Sequence, residues 1–151
     1  MRPDWDEYFM SIAEAVKTRS NCLSSPKGAI LVKNKQIIST GYNGTPRNVK
    51  NCNEGGCQRC LDRKEGKINS GEDLDRCACN HAEENAIVQA AFHGVSTEGA
   101  TMYTTYMPCA TCAKMIINAG IVRVVSEADY PEDLGTELMK EAGIKLEKFG
   151  K

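Results

Sequence analysis

Two short stretches carry the side chains best suited to chemistry: His81-Ala82-Glu83 and Pro108-Cys109-Ala110-Thr111-Cys112. His81, Cys109 and Cys112 are zinc-ligand types, and Glu83 is a carboxylate that need not be a ligand. Three protein ligands leave the fourth tetrahedral position open to water, whereas a structural zinc site closes it with a fourth side chain. Glu83, two residues beyond a ligand, is expected on another side of the same helical turn, near the open position, where it would move a proton from water to a ring nitrogen and a departing amine. Cys109 and Cys112, at i and i+3, share one face of a helix's first turn, whose positive end favours thiolates. Pro108 suits a helix start because its missing N–H is not needed there. A lone Pro-Cys-x-x-Cys serves equally as half of a structural zinc site or as a redox pair, and a lone His-x-Glu is commonplace. Here each opens an apolar helical pattern, with one strand-like run between them, and together they select a catalytic zinc.

Elements must hold these residues. Asp4-Trp5-Asp6-Glu7 reads as a capping box opening a helix, with Trp5, Tyr8, Phe9, Ile12, Ala13 and Val16 as its apolar stripe and the aromatics expected in the core. Residues 28–32 and 36–40 read as a hairpin joined through Lys33-Asn34-Lys35, after which Gly41-Tyr42-Asn43-Gly44-Thr45-Pro46 breaks the sheet. Ala82, Ala86, Ile87, Ala90 and Ala91 mark a buried helix ended by Gly94, and residues 101–105 a strand. Cys109, Cys112, Ala113, Ile116 and Ile117 mark a helix stopped by Gly120, followed by a strand at 121–125. Leu134, Leu138 and Met139 mark a last helix stopped by Gly143, and 144–149 a final strand. Helices alternating with strands imply parallel connections. The expected fold class is α/β: one three-layer α/β/α domain over residues 1–151 with a mixed five-stranded sheet and no internal repeat.

Residues 46–80 differ in kind, being polar, glycine-punctuated and too poor in large aliphatics to order themselves by burial. Cys57-Gln58-Arg59-Cys60 and Cys77-Ala78-Cys79, with Cys52 and Cys22, offer more thiols than one tetrahedral site needs, so metal ligation would replace the missing core. The alternative is a loosely ordered loop with free thiols. The chain has eight cysteines in 151 residues. It shows neither a signal-like segment nor an apolar run of membrane-spanning length, so a cytoplasmic location is expected, where thiols stay reduced and metal explains them better than bridges. Lys plus Arg (19) nearly balance Asp plus Glu (20). That balance provides no basic stripe for a nucleic-acid backbone and favours a small substrate.

His-x-Glu followed by Pro-Cys-x-x-Cys is the signature of zinc nucleobase deaminases. Over almost its whole length the chain resembles the deoxycytidylate (dCMP) deaminases of the cytidine deaminase-like superfamily. The resemblance is carried by Trp5-x-x-Tyr8-Phe9-Met10, Arg19-Ser20-Asn21-Cys22, the Gly41 to Pro46 turn, the stretch from His81 to Ile87, and Pro108-Cys-x-x-Cys112, with Glu54 to Cys60 and Cys77-x-Cys79 resembling metal-binding inserts. It implies a cytidine deaminase-like fold and zinc-dependent hydrolysis of dCMP to dUMP and ammonia, supplying dUMP for thymidylate synthesis. His81, Cys109 and Cys112 would hold the catalytic zinc, and Glu83 would be the proton shuttle.

The resemblance further implies that Asn43 binds the sugar hydroxyl and that Arg19, Ser25 and Lys27 gather at the 5′-phosphate, although Ser25-Pro26-Lys27 departs from the usual residues there. Ala82 completes the substrate contacts, and Tyr106 and Tyr130 are each read either as an aromatic face for the cytosine ring or as an exposed or core tyrosine. For at least one structural zinc, Cys22 and Cys52 match ligand positions of relatives. Cys57, Cys60, Cys77 and Cys79 complete the pool, and six thiols can also hold two ions through bridging sulfurs. Many family members form hexamers activated by dCTP and inhibited by dTTP, and the resemblance implies an effector site at Tyr42, Gly44 and Arg47, with Lys50 nearby. Two other readings share these motifs: deamination of another cytosine or adenine substrate (nucleoside, free base, tRNA or single-stranded DNA), and a non-catalytic zinc-binding interaction module. Balanced charge weighs against polynucleotides, and the presence of Glu83 against a purely structural module.

Overall fold

In a computed structural model, which describes residues 1–150, the first helix starts where its capping box requires. The Asp4 carboxylate accepts the Glu7 N–H at 2.8 Å and Glu7 accepts the Asp4 N–H at 2.9 Å, fixing α1 (Trp5–Lys17). Strands β1 (Gly28–Lys33) and β2 (Gln36–Tyr42) form the expected hairpin. Asn34 and Lys35 both have positive φ, as a two-residue turn matched to strand twist requires. Strand β3 (Thr101–Thr104) lies antiparallel to β1, while β4 (Arg123–Ser126) and β5 (Lys145–Lys148) run parallel to β3. Parallel neighbours need crossovers, supplied by α4 (Ala110–Asn118) and α5 (Leu134–Glu141). The sheet is therefore mixed and five-stranded, in the order β2-β1-β3-β4-β5.

Strand alternation sorts the core into two layers. Ile30, Val32, Tyr103 and Val125 meet Phe9, Met10 and Ala13 of α1 on one face. Ala29, Leu31, Met102 and Val124 meet α3 (Ala82–Phe92), α4 and α5 on the other, through Ala82, Ala86, Ala90, Ala113, Ile116 and Met139. This is the expected three-layer arrangement, and it corrects details. Trp5 and Tyr8 are exposed, Trp5 stacking outside Phe9 at 5.6 Å with the Lys35 ammonium 5.2 Å from its ring centroid. Ala91 faces solvent. Pairing of the last two strands starts later than periodicity indicates, because the Ile121 and Ile144 N–H groups instead close the ends of α4 and α5 on the Ile116 and Met139 carbonyls.

Helix α3 lies tight against β2 and carries its first turn to the end of the central strand β3. A Cβ at Gly41 would stand 2.3 Å from the Ala86 nitrogen, so only glycine permits that approach. Ser39 then donates to the Ala86 carbonyl at 2.6 Å and the Asn85 amide to the Tyr42 carbonyl at 2.8 Å, fixing the rotation of α3. Between β2 and α3, the cysteine-rich segment contains one-turn 3-10 helices at Cys52–Glu54 and Leu74–Arg76 and the short helix α2 (Gln58–Lys64).

Candidate active site

Two helix starts meet. His81 is the N-cap of α3 and Cys109 the N-cap of α4, where the Cys109 sulfur accepts the Cys112 N–H at 3.4 Å. Pro108 therefore precedes the cap instead of occupying the first helical position. The His81 Nδ1 lies 3.3 Å from both sulfurs, and the sulfurs are 3.4 Å apart. Donors around a tetrahedral zinc, with bonds of about 2.0–2.3 Å, stand roughly 3.5–3.8 Å from one another. The three need to spread only slightly to hold it. Among the described residues no fourth His, Cys, Asp or Glu joins the group.

Its electrostatics suit a cation. The hydrogen bond from Cys112 pulls the Cys109 thiol down to about 4, and Cys109 in turn holds the His81 imidazole up at about 9. Without a metal, a Cys109 thiolate and a protonated His81 hold each other; a divalent ion would displace the protons and take the three lone pairs.

Glu83, in the first turn of α3, is 3% exposed and lines the same cavity as His81 and Cys109. Burial pushes its carboxyl above the usual carboxylate range, although its own backbone N–H and the Thr104 hydroxyl pull the other way. Thr104, at the end of β3, donates to Glu83 Oε2 at 2.8 Å and accepts the Tyr106 N–H at 3.3 Å. One carboxylate oxygen is thus pinned.

The cavity, of ≈ 250 Å³, extends from Glu83 toward the cysteine-rich segment. Ser25, Lys27, Asn43 and Tyr106 line it. Burial lowers the Lys27 ammonium, which lies 4.6 Å from the Tyr106 ring centroid. Asn43 is largely engaged locally: its Oδ1 accepts from Ser20 at 2.6 Å and the Lys27 N–H at 2.8 Å, and its Nδ2 donates to the Ser25 carbonyl at 2.7 Å. Its first role is to latch the 20–27 segment.

Three expected contacts lie elsewhere. Arg19 is exposed just beyond α1 and outside the cavity lining. The Ala82 methyl is buried in the core. Tyr130 donates to the Val124 and Glu147 carbonyls of β4 and β5, at 2.9 and 3.1 Å, and packs against the core outside the cavity lining. Sequence reasoning missed Arg59 and Arg63 of α2, both lining the cavity. Arg59 donates to the Glu72 carbonyl at 3.0 Å, and Arg63 to Ser24 at 2.6 Å. Their i, i+4 spacing, which puts both on one helix face, was the available signal.

Tyr42, Gly44 and Arg47 line a separate cavity of ≈ 730 Å³ with Asn85, Gln89 and His93. The Arg47 guanidinium stacks 4.3 Å from the Phe92 ring centroid and reaches Gln89 at 3.4 Å.

Residues 3–128 match the family model described as the cytidine and deoxycytidylate deaminase zinc-binding region. The chain is similar to deoxycytidylate deaminases of Schizosaccharomyces pombe, 43% identical over 149 residues, covering 98% of this chain and 45% of that protein. The Saccharomyces cerevisiae deoxycytidylate deaminase is 41% identical over 150 residues, covering 99% of this chain and 46% of that protein. The chain thus spans about half the length of these relatives. A crystal structure of the dCMP deaminase of cyanophage S-TIM5, in complex with dCMP and dUMP, superposes with a TM-score of 0.78 at 33% identity, covering 99% of both chains.

Proposed function

Since the chain belongs to the cytidine and deoxycytidylate deaminase zinc-binding family, we propose that it hydrolyses dCMP to dUMP and ammonia, supplying dUMP for thymidylate synthesis. One observation carries this reading: the buried Glu83 carboxyl lines a cavity with His81 and Cys109, two of the three grouped donors that Cys112 completes, and the other wall of that cavity is cationic, with Lys27, Arg59 and Arg63. The cyanophage relative, whose structure holds dCMP and dUMP, supports the same substrate class.

His81, Cys109 and Cys112 would hold a zinc ion, which would supply Lewis acidity and bring the pKa of water into the neutral range. Glu83 accepts the proton of the attacking water, delivers it to N3 as C4 is attacked, and carries a further proton to the departing amino group. Thr104 holds one oxygen of Glu83 so that the other faces the ring. The base enters beside Glu83 and Tyr106, and the 5′-phosphate is held by Lys27, Arg59 and Arg63, with Ser25 at the rim. The Asn43 amide keeps one N–H for the sugar hydroxyl.

The finer features belong to the same proposal. The enzyme works as a cytoplasmic hexamer that dCTP activates and dTTP inhibits through the cavity at Tyr42, Gly44 and Arg47. Coupling has a physical route: Gly44 and Asn80 exchange two backbone hydrogen bonds, at 3.2 and 2.7 Å, immediately before the ligand His81. Ammonia release from dCMP, deoxycytidine, dCTP, cytosine and a short RNA, with and without dCTP, tests the reading. Preference for dCMP is expected; equal turnover of deoxycytidine, or turnover of RNA alone, would replace it with another deaminase activity.

A further inference from the structure

Away from the His81 group, six sulfurs converge where the cysteine-rich segment folds back on the loop after α1. They form two sets of four whose sulfurs lie within 4.8 Å of one another, Cys22, Cys52, Cys60 and Cys79, and Cys57, Cys60, Cys77 and Cys79. Cys60 and Cys79 belong to both. No two of the eight cysteines are joined as a disulfide. The separations are those of co-ligands: Cys22 to Cys60 is 3.9 Å, and Cys57 to Cys77 and Cys60 to Cys77 are each 3.8 Å. Two sulfurs about 2.3 Å from a common tetrahedral zinc stand roughly 3.8 Å apart.

We propose that these six thiolates hold a binuclear zinc cluster, with Cys60 and Cys79 bridging the two ions, Cys22 and Cys52 completing one tetrahedron and Cys57 and Cys77 the other. A single ion satisfies four sulfurs and leaves two packed against the shared pair with no cation between them. A second ion uses all six, and its positive charge balances the two further thiolates, so the cluster carries the same net charge as one zinc with four cysteines. Soft thiolate donors in tetrahedral sets select zinc over the harder divalent ions.

Two further features belong to ligated sulfur. The Leu23 N–H points at the Cys52 sulfur at 3.4 Å, and the Ala78 N–H at the Cys57 sulfur at 3.3 Å, one non-bridging cysteine of each set. Such N–H donors stabilise thiolate charge. The surroundings offer little else to hold the segment: Cys22, Cys52, Cys57 and Cys60 are themselves the buried cluster, with Leu23, Cys77, Ala78 and Cys79 packed around it, while Val49 and Leu74 are exposed. Metal bonds replace the apolar core that this stretch lacks.

The cluster also backs the cavity wall. Cys60 lies one residue after Arg59 on α2, and Cys22, Cys60, Cys77 and Cys79 line the cavity with Arg59 and Arg63. Its ions therefore fix the helix that presents those guanidinium groups.

The test is independent of any substrate. Zinc-saturated, desalted chain is weighed by native and by denaturing mass spectrometry, and the cadmium-113-substituted chain is examined by NMR. Three ions per chain are expected, falling to two in Cys112→Ala, which empties only the His81 group. Two of the three cadmium resonances should be coupled to each other through the shared sulfurs, and the third uncoupled. Two ions per saturated wild-type chain, or three resonances without mutual coupling, would overturn the proposal. Neither result would bear on the deaminase reading, which rests on the other metal group.

Discussion

The proposed role of Glu83 depends on the geometry imposed on it, so the informative substitution is of the residue that holds it. Thr104→Val keeps the shape of a wholly buried side chain and deletes the hydroxyl that pins Glu83 Oε2. Losing one such bond, worth about 1–1.5 kcal/mol, should cut kcat roughly tenfold and leave KM for dCMP nearly unchanged. A rise in KM alone would mean that Thr104 contacts substrate instead. Arg63 makes the opposite prediction. Arg63→Ala removes a proposed phosphate donor, so KM for dCMP should rise roughly 10–100-fold with kcat little changed, and the difference between dCMP and deoxycytidine should shrink. Steady-state kinetics on both substrates checks it.

How much of the site was legible depended on how local each signal was. His81, Glu83, Cys109 and Cys112 could be read because ligand spacing and helix starts are properties of a few adjacent residues. The i, i+4 spacing of Arg59 and Arg63 indicates a shared helix face, but that this face meets the cavity depends on the fold-back of α2, which is not a local property. Thr104 looks like any strand threonine, and for Tyr130 sequence leaves a ring facing the base and a core tyrosine open; its hydroxyl on two backbone carbonyls selects the second.

At the scale of elements, helix α1 meets the sheet through a carboxyl pair as well as through Phe9. Burial and the neighbouring Glu14 carboxyl raise Glu127, just beyond β4, to about 7, with Lys17 opposing, while Glu14 is lowered by its hydrogen bonds to Glu127 and Lys17. A carboxyl raised in the folded state contributes stability that is complete below its unfolded value, near 4.5, and is lost as pH rises through about 7. Glu127→Gln, which cannot ionise, should match the wild type near pH 4 and become the more stable protein above pH 7, by denaturant unfolding at the two pH values. An equal difference at both would refute the coupling. Strand order and layering were legible because alternation and helical periodicity encode them. The late starts of β4 and β5 were not, because Ile121 and Ile144 are apolar for packing while their N–H groups serve helix ends.

For the whole molecule, exposed apolar residues gather around the cavity that Tyr42 and Arg47 line. Phe92 is 65% exposed, with Val88, Val49 and Tyr42 also exposed. In the proposed hexamer this surface is covered by a neighbouring subunit, which places the effector cavity at a contact between chains. Phe92→Glu should therefore lower the assembly state in analytical ultracentrifugation and blunt the response to dCTP, while the isolated chain keeps its fold by circular dichroism. Unchanged assembly would put the interface elsewhere.

The most direct test of the central claim compares dUMP formation from dCMP by zinc-loaded wild type and Glu83→Gln, with zinc content measured on the same samples. Equal metal in both proteins and product only from the wild type is the expected result. Product from the Glu83→Gln protein at a near-normal rate, or none from a fully loaded wild type, would contradict it.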